Sequence, residues 1–158
     1  MEFINLKDCK KKQYIKQVAE LQIELWDDDF ENVSEYEKSI RSAINRENYT
    51  ILGAINEKNE IMGYIELDMS YSYEERYTPI AIMQICGLYV SPKYRHQGVA
   101  KGLMRESEKL GLAMGCLQIA SSYYEFNNAS ANLHKDMGFV ETSKIISVIK
   151  NISQNDID

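Results

Sequence analysis

Residues 79–90, PIAIMQICGLYV, form an almost continuously apolar run. A run without polar alternation is typical of a central β-strand that is covered on both faces. The next segment, residues 91–104, SPKYRHQGVAKGLM, begins as a turn and ends with the apolar spacing of a helix. A buried strand that leads through a turn into a helix predicts an α/β protein, in which helices pack on a sheet.

The remaining segments predict further strands and helices around this unit. Before it, we expect a strand at EFINL, a helix from Asp8, a second helix that begins with a Ser34–Glu37 capping box, and strands at TILGAI and IMGYIELDMS. After it, we expect a helix from Gly98, a buried strand at CLQIAS, a short helix at ASANLHKDM and the last strands within FVETSKIISVIKNI. The order β-α-α-β-β-β-α-β-α-β predicts one α/β domain over residues 1–158, with a mixed sheet.

Charge and cysteine content narrow the classes of partner. The net charge of −6 makes nucleic acid an unexpected partner and suits a small cationic substrate. No stretch approaches the roughly 18 apolar residues of a membrane span, and the N-terminus does not resemble a secretory signal, so we expect a cytoplasmic protein with no membrane partner. The three cysteines, Cys9, Cys86 and Cys116, lack metal-ligand spacing and predict reduced thiols and no metal.

The turn before the predicted third helix concentrates Arg95, His96 and Gln97 next to Gly98. A helix N-terminus has unpaired N–H groups and a dipole that favours an anion, and glycine lets a phosphate approach the backbone. A pyrophosphate suits this loop. The alternative is a tight turn in which Gly98 only permits an unusual dihedral angle. The loop lacks the G-x-G-x-x-G pattern of a dinucleotide site and the glycine-rich pattern of a P-loop.

The segment RHQGVA resembles the R/Q-x-x-G-x-G/A signature of the GNAT acetyltransferase superfamily. GLYVSPKYR is similar to the strand that precedes this signature, and NNASANLHKDMGF to the last conserved block of the superfamily. The resemblance implies the GNAT fold, with acetyl-CoA as co-substrate. It implies cofactor contacts from the backbone of Leu88, Tyr89 and Val90, from the loop residues Arg95, His96, Gln97, Gly98, Val99, Ala100 and Lys101, and from Asn127.

Within the superfamily, the chain is most similar to the aminoglycoside 6′-N-acetyltransferases. The resemblance implies that Trp26 and Tyr71 frame the acceptor, and that the protein is a homodimer which acetylates the 6′-amine of an aminoglycoside. Related enzymes carry acidic residues where this chain has Cys86, Ser122 and Ser143. Other acids lie close in sequence, and we expect Asp29, Cys86 and Ser122 to contact the acceptor as well. A polyamine or other small amine as acceptor, and a non-catalytic acyl-CoA-binding module, remain alternatives.

Catalysis by direct attack of an amine on the thioester needs an oxyanion donor and a proton donor for the thiolate. By resemblance, the donor to the oxyanion is the backbone N–H of Leu88. His134 stands where many GNAT enzymes have the tyrosine that protonates the thiolate, and the alternative is a helix histidine that only forms a structural hydrogen bond. Glu66, Asp68 and Glu125 are candidate acceptors for the proton of the amine, with no choice made among them.

Overall fold

The computed structural model describes residues 1–9, 11–26, 32–72 and 80–149. One five-stranded sheet has the spatial order β1 (Glu2–Asn5), β2 (Tyr49–Ile55), β3 (Ile61–Ser72), β4 (Ile80–Val90), β5 (Gln118–Ala120). The first four strands pair antiparallel, and β5 pairs parallel with β4. The helices are α1 (Lys12–Leu25), α2 (Val33–Ala43), α3 (Val99–Ala113) and α4 (Asn128–Asp136). The predicted mixed sheet in an α/β fold is confirmed.

Two hydrophobic clusters lie on opposite faces of the sheet. The first joins α1 and α2 to the sheet through residues such as Val18, Ile40 and Ile51. The second joins α3 to the sheet through residues such as Leu103 and Met83. Because successive side chains of a strand point to opposite faces, β2 and β3 contribute alternately to both clusters. The sheet is therefore a layer between two groups of helices.

Both N-terminal helices begin at other residues than the sequence predicts. The backbone N–H groups of Asp8 and Cys9 donate to the carbonyl of Asn5, at 3.1 and 2.9 Å, which closes a turn before α1 begins at Lys12. The cap of α2 is Asn32, whose side chain accepts from the backbone N–H of Glu35 at 3.2 Å. The predicted Ser34–Glu37 capping box is wrong, because the asparagine two residues earlier already satisfies the helix N-terminus.

The C-terminal part of the chain also differs from prediction. Residues 139–149 form no strand, so the predicted last strand is wrong over the described part of that segment. Its large aliphatic side chains are 83–95% exposed; they are Val140, Ile145, Ile146, Val148 and Ile149. The strand predicted at CLQIAS shortens to the three residues of β5, whose side chains are at most half-buried. In the described ranges, no helix is both long and apolar enough to cross a membrane.

Candidate active site

An irregularity in β4 opens one edge of the sheet. Glu66 pairs with Gly87 and Leu67 pairs with Ile85, so Cys86 is an extra residue that has no partner in β3. Such a β-bulge bends its strand and re-aims nearby side chains. On the other side of β4, β5 pairs only with residues 82–84. Residues 85–90 of β4 therefore pair with β3 alone among the strands of the described chain.

The backbone of Leu88 and Val90 faces this free edge. The N–H of Ser91 donates to the carbonyl of Met62 at 3.0 Å, in register with the β3–β4 ladder. Because hydrogen-bonding groups of a strand alternate in direction, Tyr89 also faces β3, while Leu88 and Val90 face away from it. The guanidinium of Arg95 donates to the outward carbonyl of Val90 at 3.0 Å. The N–H of Leu88 therefore points toward the free edge.

The free edge leads to the N-terminus of α3. Gly98 precedes the first residue of this helix with φ +79°, and His96 also has a positive φ of 59°. A Cβ atom added to Gly98 would meet no atom of the described chain within 4 Å. The space next to Gly98, which precedes the first backbone N–H groups of α3 at Val99 and Ala100, is therefore open in the described chain. The residues fit a pyrophosphate, since unpaired helix amides and a missing side chain are what such an anion requires.

The side chains of the same loop mostly bind other parts of the protein. Arg95 donates to Val90 and also to the hydroxyl of Tyr89, at 3.3 Å. Gln97 donates to the carbonyl of Lys93 at 3.1 Å. The ammonium of Lys101 binds Asp136 at 2.8 Å, which lowers the pKa of that carboxyl group. An anion at this loop would therefore be bound first by the backbone N–H groups rather than by free cationic side chains.

Asn127 and His134 are the two predicted site residues at α4: Asn127 is the cap that precedes the helix, and His134 lies in its second turn. Asn127 caps the helix, since its side-chain oxygen accepts from the N–H of Ser130 at 3.1 Å, and its NH₂ group remains as a donor. The Nδ1 atom of His134 lies 2.8 Å from the carbonyl oxygen of Ser130 and must donate, because a carbonyl only accepts. The Nε2 atom is buried and has no hydrogen-bond partner among the described residues. Nε2 is therefore the atom that would exchange a proton with a ligand.

A cavity of about 260 Å³ lies on the other side of the bulge, between α1, α2 and the sheet. Its walls are formed by Gln22, Trp26, Tyr36, Ser39, Ile40, Ala43, Tyr49, Ile51, Glu66 and Cys86. Trp26 and Cys86 were predicted from the sequence to meet the acceptor. Tyr71, at the end of β3, and Ser122, after β5, are exposed and lie outside this wall. Asp29 lies outside the described residues.

Glu66 is the acidic side chain in the wall of the cavity. Its side chain is only 6% exposed and accepts hydrogen bonds from the Nε2 of Gln22 and from the hydroxyl of Tyr49, the latter at 2.7 Å. Burial, and then the neighbouring Glu66, raise the pKa of Tyr49 well above its usual value, so that its phenol stays a neutral donor. Sequence reasoning missed Gln22 and Tyr49. The available signal was that Gln22 follows Val18 by four residues, on the buried face of α1.

The other candidate acids are paired elsewhere. Asp68 binds Arg46 at 2.8 Å, and Glu125 binds Lys144 at 2.7 Å. Of the three candidates, Glu66 alone lines the cavity. Burial, with the nearby Asp68 and Glu66 carboxylates, raises the pKa of Cys86. A thiol that stays protonated is a poor nucleophile, which favours direct transfer over a covalent cysteine intermediate.

The sequence profile of the acetyltransferase (GNAT) family matches residues 15–139. The chain belongs to this family. The matched residues include the cavity, the free edge of β4, the α3 loop and α4. Acetyl transfer is therefore the reaction of this protein. In this GNAT protein, β4, which carries the free edge, is followed along the chain by residues 91–98 and then by the N-terminus of α3.

Curated relatives of this GNAT protein are named for one substrate class. It is 29% identical over 117 residues to "Aminoglycoside N(6')-acetyltransferase type 1" of Acinetobacter baumannii, a match that covers 73% of this chain and 79% of the relative. A protein of the same name from Acinetobacter haemolyticus is 25% identical over 152 residues, which covers 94% and 99% of the two chains.

Solved structures share the fold of this GNAT protein. The 6'-N-acetyltransferase AAC(6')-Ih from Acinetobacter baumannii has a TM-score of 0.76 and 24% identity, with 96% of this chain and 99% of that chain covered. AAC(6')-Iy, solved in complex with the bisubstrate analogue CoA-S-monomethyl-acetylneamine, has a TM-score of 0.77 and 20% identity, with 96% and 100% covered. At these identities the likeness shows a common fold.

Proposed function

We propose that the protein transfers the acetyl group of acetyl-CoA to a primary amine of a cationic small molecule, the 6′-amine of an aminoglycoside, by direct attack in a ternary complex. The names of the curated relatives support this substrate class. The reaction takes place in the cytoplasm. It needs no metal, because a neutral amine is nucleophilic enough to attack a thioester. Nucleic acid and membranes are not partners in it.

One observation carries the proposal: the free edge of β4 connects the acceptor cavity to the anion-binding loop. Cys86 lines the cavity, Leu88 and Val90 present their backbone along the edge, and Gly98 opens the helix N-terminus beyond it. A ligand extended along this edge would have its phosphates at α3 and its acyl end at the bulge. Acetyl-CoA has this shape and this order of groups.

Each part of the chain then has a chemical task. The α3 amides bind the phosphates, and the NH₂ group of Asn127 is a further donor to the cofactor. The outward N–H of Leu88 stabilises the oxyanion. Holding the two reactants together lowers the activation barrier separately, by on the order of 7–11 kcal/mol in the best-oriented systems. Trp26 contacts the acceptor from the cavity wall, and Tyr71, outside that wall, contacts the part of the acceptor that extends beyond the cavity. As the imidazolium, His134 delivers the Nε2 proton to the departing thiolate and keeps the proton at Nδ1.

We expect neomycin to be acetylated and paromomycin to be a much poorer acceptor. The two antibiotics differ only in an amine or a hydroxyl at the 6′ carbon, so they form a matched pair for the proposed position. Release of free CoA is measured with a thiol reagent, and the product is located by mass spectrometry. Equal rates for the two compounds, or acetyl groups on other amines, would contradict 6′ transfer. Exposed charge pairs are screened over ~8–10 Å, so KM for neomycin should rise with salt.

Three uncharged positions support a second class of acceptor. Cys86, Ser122 and Ser143 carry no charge at the positions where the resemblance to the aminoglycoside 6′-N-acetyltransferases implies acids. This difference favours a smaller amine such as a polyamine. Spermidine in the same assay decides between the two classes by the ratio of the kcat/KM values.

We further propose that the protein is a homodimer that covers the exposed C-terminal segment. Five aliphatic side chains within residues 140–149 are 83–95% exposed, and burying each one fully would contribute roughly 1.5–3 kcal/mol. A second copy presents the same segment, so a symmetric pair can cover both at once.

The double variant Ile145→Asp, Ile149→Asp is expected to be monomeric where the wild type is a dimer, because charges at a buried apolar contact must be desolvated. Light scattering coupled to size exclusion gives the mass of each. The double variant Leu112→Asp, Leu117→Asp, which places the same charges at two exposed aliphatic positions outside this segment, serves as the control. A wild type that elutes as a monomer at micromolar concentrations would refute the proposal.

A further inference from the structure

The cavity holds a buried carboxylate that has no cation beside it among the described residues. The donors to Glu66, Gln22 and Tyr49, are both neutral. The nearest basic side chain in this region, Arg46, is committed to Asp68 at 2.8 Å and lies 4.6 Å from the centre of the Tyr49 ring. A buried ionised group is costly unless it is paired. Neutral donors reduce this cost and leave the charge itself uncompensated.

A second acceptor accompanies the carboxylate. Because a carboxylate only accepts, the amide of Gln22 must direct its NH₂ group at Glu66, and this fixes its oxygen on the other side. That oxygen is buried and has no hydrogen-bond partner among the described residues. Buried side-chain acceptors usually have a partner, so an unpaired amide oxygen in a cavity indicates a place for a donor that arrives with a ligand. Gln22 is only 8% exposed.

The walls leave room for that donor beside an aromatic surface. A Cβ atom on Gly87 would lie 3.2 Å from the Cζ2 atom of Trp26 and 3.6 Å from the Oε2 atom of Glu66. The absence of a side chain at Gly87 therefore lets the indole ring and the carboxylate both pack close to the backbone of β4, next to the bulge at Cys86. Aromatic rings attract cations at their faces, and Trp26 and Tyr49 both line this cavity.

We propose that this cavity binds one alkylammonium group of the acceptor, with Glu66 as its counter-ion and the oxygen of Gln22 as its second hydrogen-bond acceptor. The inference rests on the proposed function, since it names the residues that recognise the cationic acceptor. Glu66, on β3, and Cys86, on β4, line the same cavity, and of these two only Glu66 supplies a negative charge. Arg46 already neutralises Asp68, so the cavity recognises a single ammonium group rather than a pair.

The chain carries its own optical probe for this site, because Trp26 is its one tryptophan and lies in the cavity wall. Neomycin is titrated into the full-length protein without acetyl-CoA, and the fluorescence of Trp26 gives the Kd. Glu66→Gln is expected to raise this Kd at least tenfold, since a charge-assisted hydrogen bond is lost. Glu20→Gln, on the same helix as Gln22 but half exposed beside Lys16, removes the same charge and should change the Kd less than twofold.

A further variant and further readouts separate binding from folding. Gln22→Met keeps the length of the side chain without the amide oxygen and should raise the Kd severalfold. Acetyl-CoA affinity, measured by calorimetry, should be unchanged in all three variants, because the anion loop is a different part of the site. Increasing salt should weaken neomycin binding by the wild type and do so less for Glu66→Gln. A Glu66→Gln protein that keeps the wild-type circular dichroism spectrum, Kd and salt dependence overturns the proposal.

The same titration with spermidine and with n-propylammonium separates this inference from the choice of antibiotic as substrate. If aminoglycosides are not acetylated while Glu66→Gln still weakens the binding of these simpler cations, the ammonium site stands and the aminoglycoside proposal fails. If neomycin is acetylated with equal KM by Glu66→Gln and Glu20→Gln, the function stands and the ammonium site is wrong. If millimolar concentrations of none of the three cations change the fluorescence of Trp26, the ammonium site is also wrong.

Discussion

Gly98→Val is expected to weaken acetyl-CoA binding at least tenfold, which corresponds to about 1.4 kcal/mol. The added Cβ would occupy the open surface at the N-terminus of α3, where no atom of the described chain lies within 4 Å. Valine also resists the φ of +79° at this position, and such backbone strain costs about 1–3 kcal/mol. Isothermal calorimetry with acetyl-CoA measures the loss directly.

Gly115 provides a matched control for the strain. It has φ +81° and equally open surroundings among the described residues, but it follows the C-terminal end of α3 instead of preceding the helix. Gly115→Val should therefore lose a similar amount of thermal stability and keep the acetyl-CoA affinity of the wild type. If both variants bind acetyl-CoA as well as the wild type does, the pyrophosphate does not bind at Gly98.

His134→Phe is expected to lower kcat by roughly 10²–10⁴-fold where protonation of the thiolate limits the rate. The Nδ1–H group of His134 donates to the carbonyl of Ser130 at 2.8 Å, so the proton that the imidazolium gives to a ligand would leave from Nε2. Phenylalanine keeps the ring contacts with Tyr123 and Phe139, whose centres lie 5.1 and 4.9 Å from that of the imidazole. Acetyl-CoA affinity should change little, since the loss concerns the transition state.

The profile of kcat against pH distinguishes a proton donor from a packing residue. His134→Tyr should recover part of the lost rate, because a phenol then stands where many GNAT enzymes carry one. Tyr123→Phe is the control: it removes only a hydroxyl that donates to Glu141 at 3.2 Å, and it should keep the wild-type profile. A His134→Phe enzyme with wild-type kcat and pH profile would mean that His134 is structural and that solvent protonates the thiolate.

The strand–turn–helix unit was predictable because its signals are local. The apolar run of β4, the glycine at position 98 and the apolar spacing of α3 are adjacent in the sequence, and each follows from the conformation of a few residues. The same unit contains most of the loop that we propose for the phosphates, so the predictions of the fold and of this loop depend on the same residues. The order of the elements then followed from periodicity, apart from the C-terminal strand.

The acceptor cavity was less predictable because its polar residues come from separate elements. Gln22 is on α1, Tyr49 on β2 and Glu66 on β3, and nothing in the spacing of the sequence says that they meet. Glu66 was one of three equivalent acids until the structure paired Asp68 with Arg46 and Glu125 with Lys144. Long-range pairing of this kind depends on sheet register and is not encoded by local pattern.

The C-terminal segment shows a different limit. Its Ile and Val residues have the β-propensity of a strand, which is why a last strand was predicted there. A strand also needs a neighbour to bond with, and in the described part of the chain residues 139–149 have none. β-propensity reflects how a side chain fits a pleated and partly buried surface, so the propensity alone does not produce the strand.

The unpaired edge of β4 has a consequence for how the protein is kept folded. Among the strands that the structure describes, residues 85–90 have no neighbour on one side. Exposed strand edges are the places where sheets bind other chains and aggregate. A pantetheine arm bound along Leu88 and Val90 would act as a temporary sixth strand. Its binding free energy would then add to the free energy of unfolding, by about 2.7 kcal/mol at a hundredfold excess over Kd. The co-substrate would thus protect the enzyme as well as react on it, and the cellular supply of acetyl-CoA would set how much active protein persists.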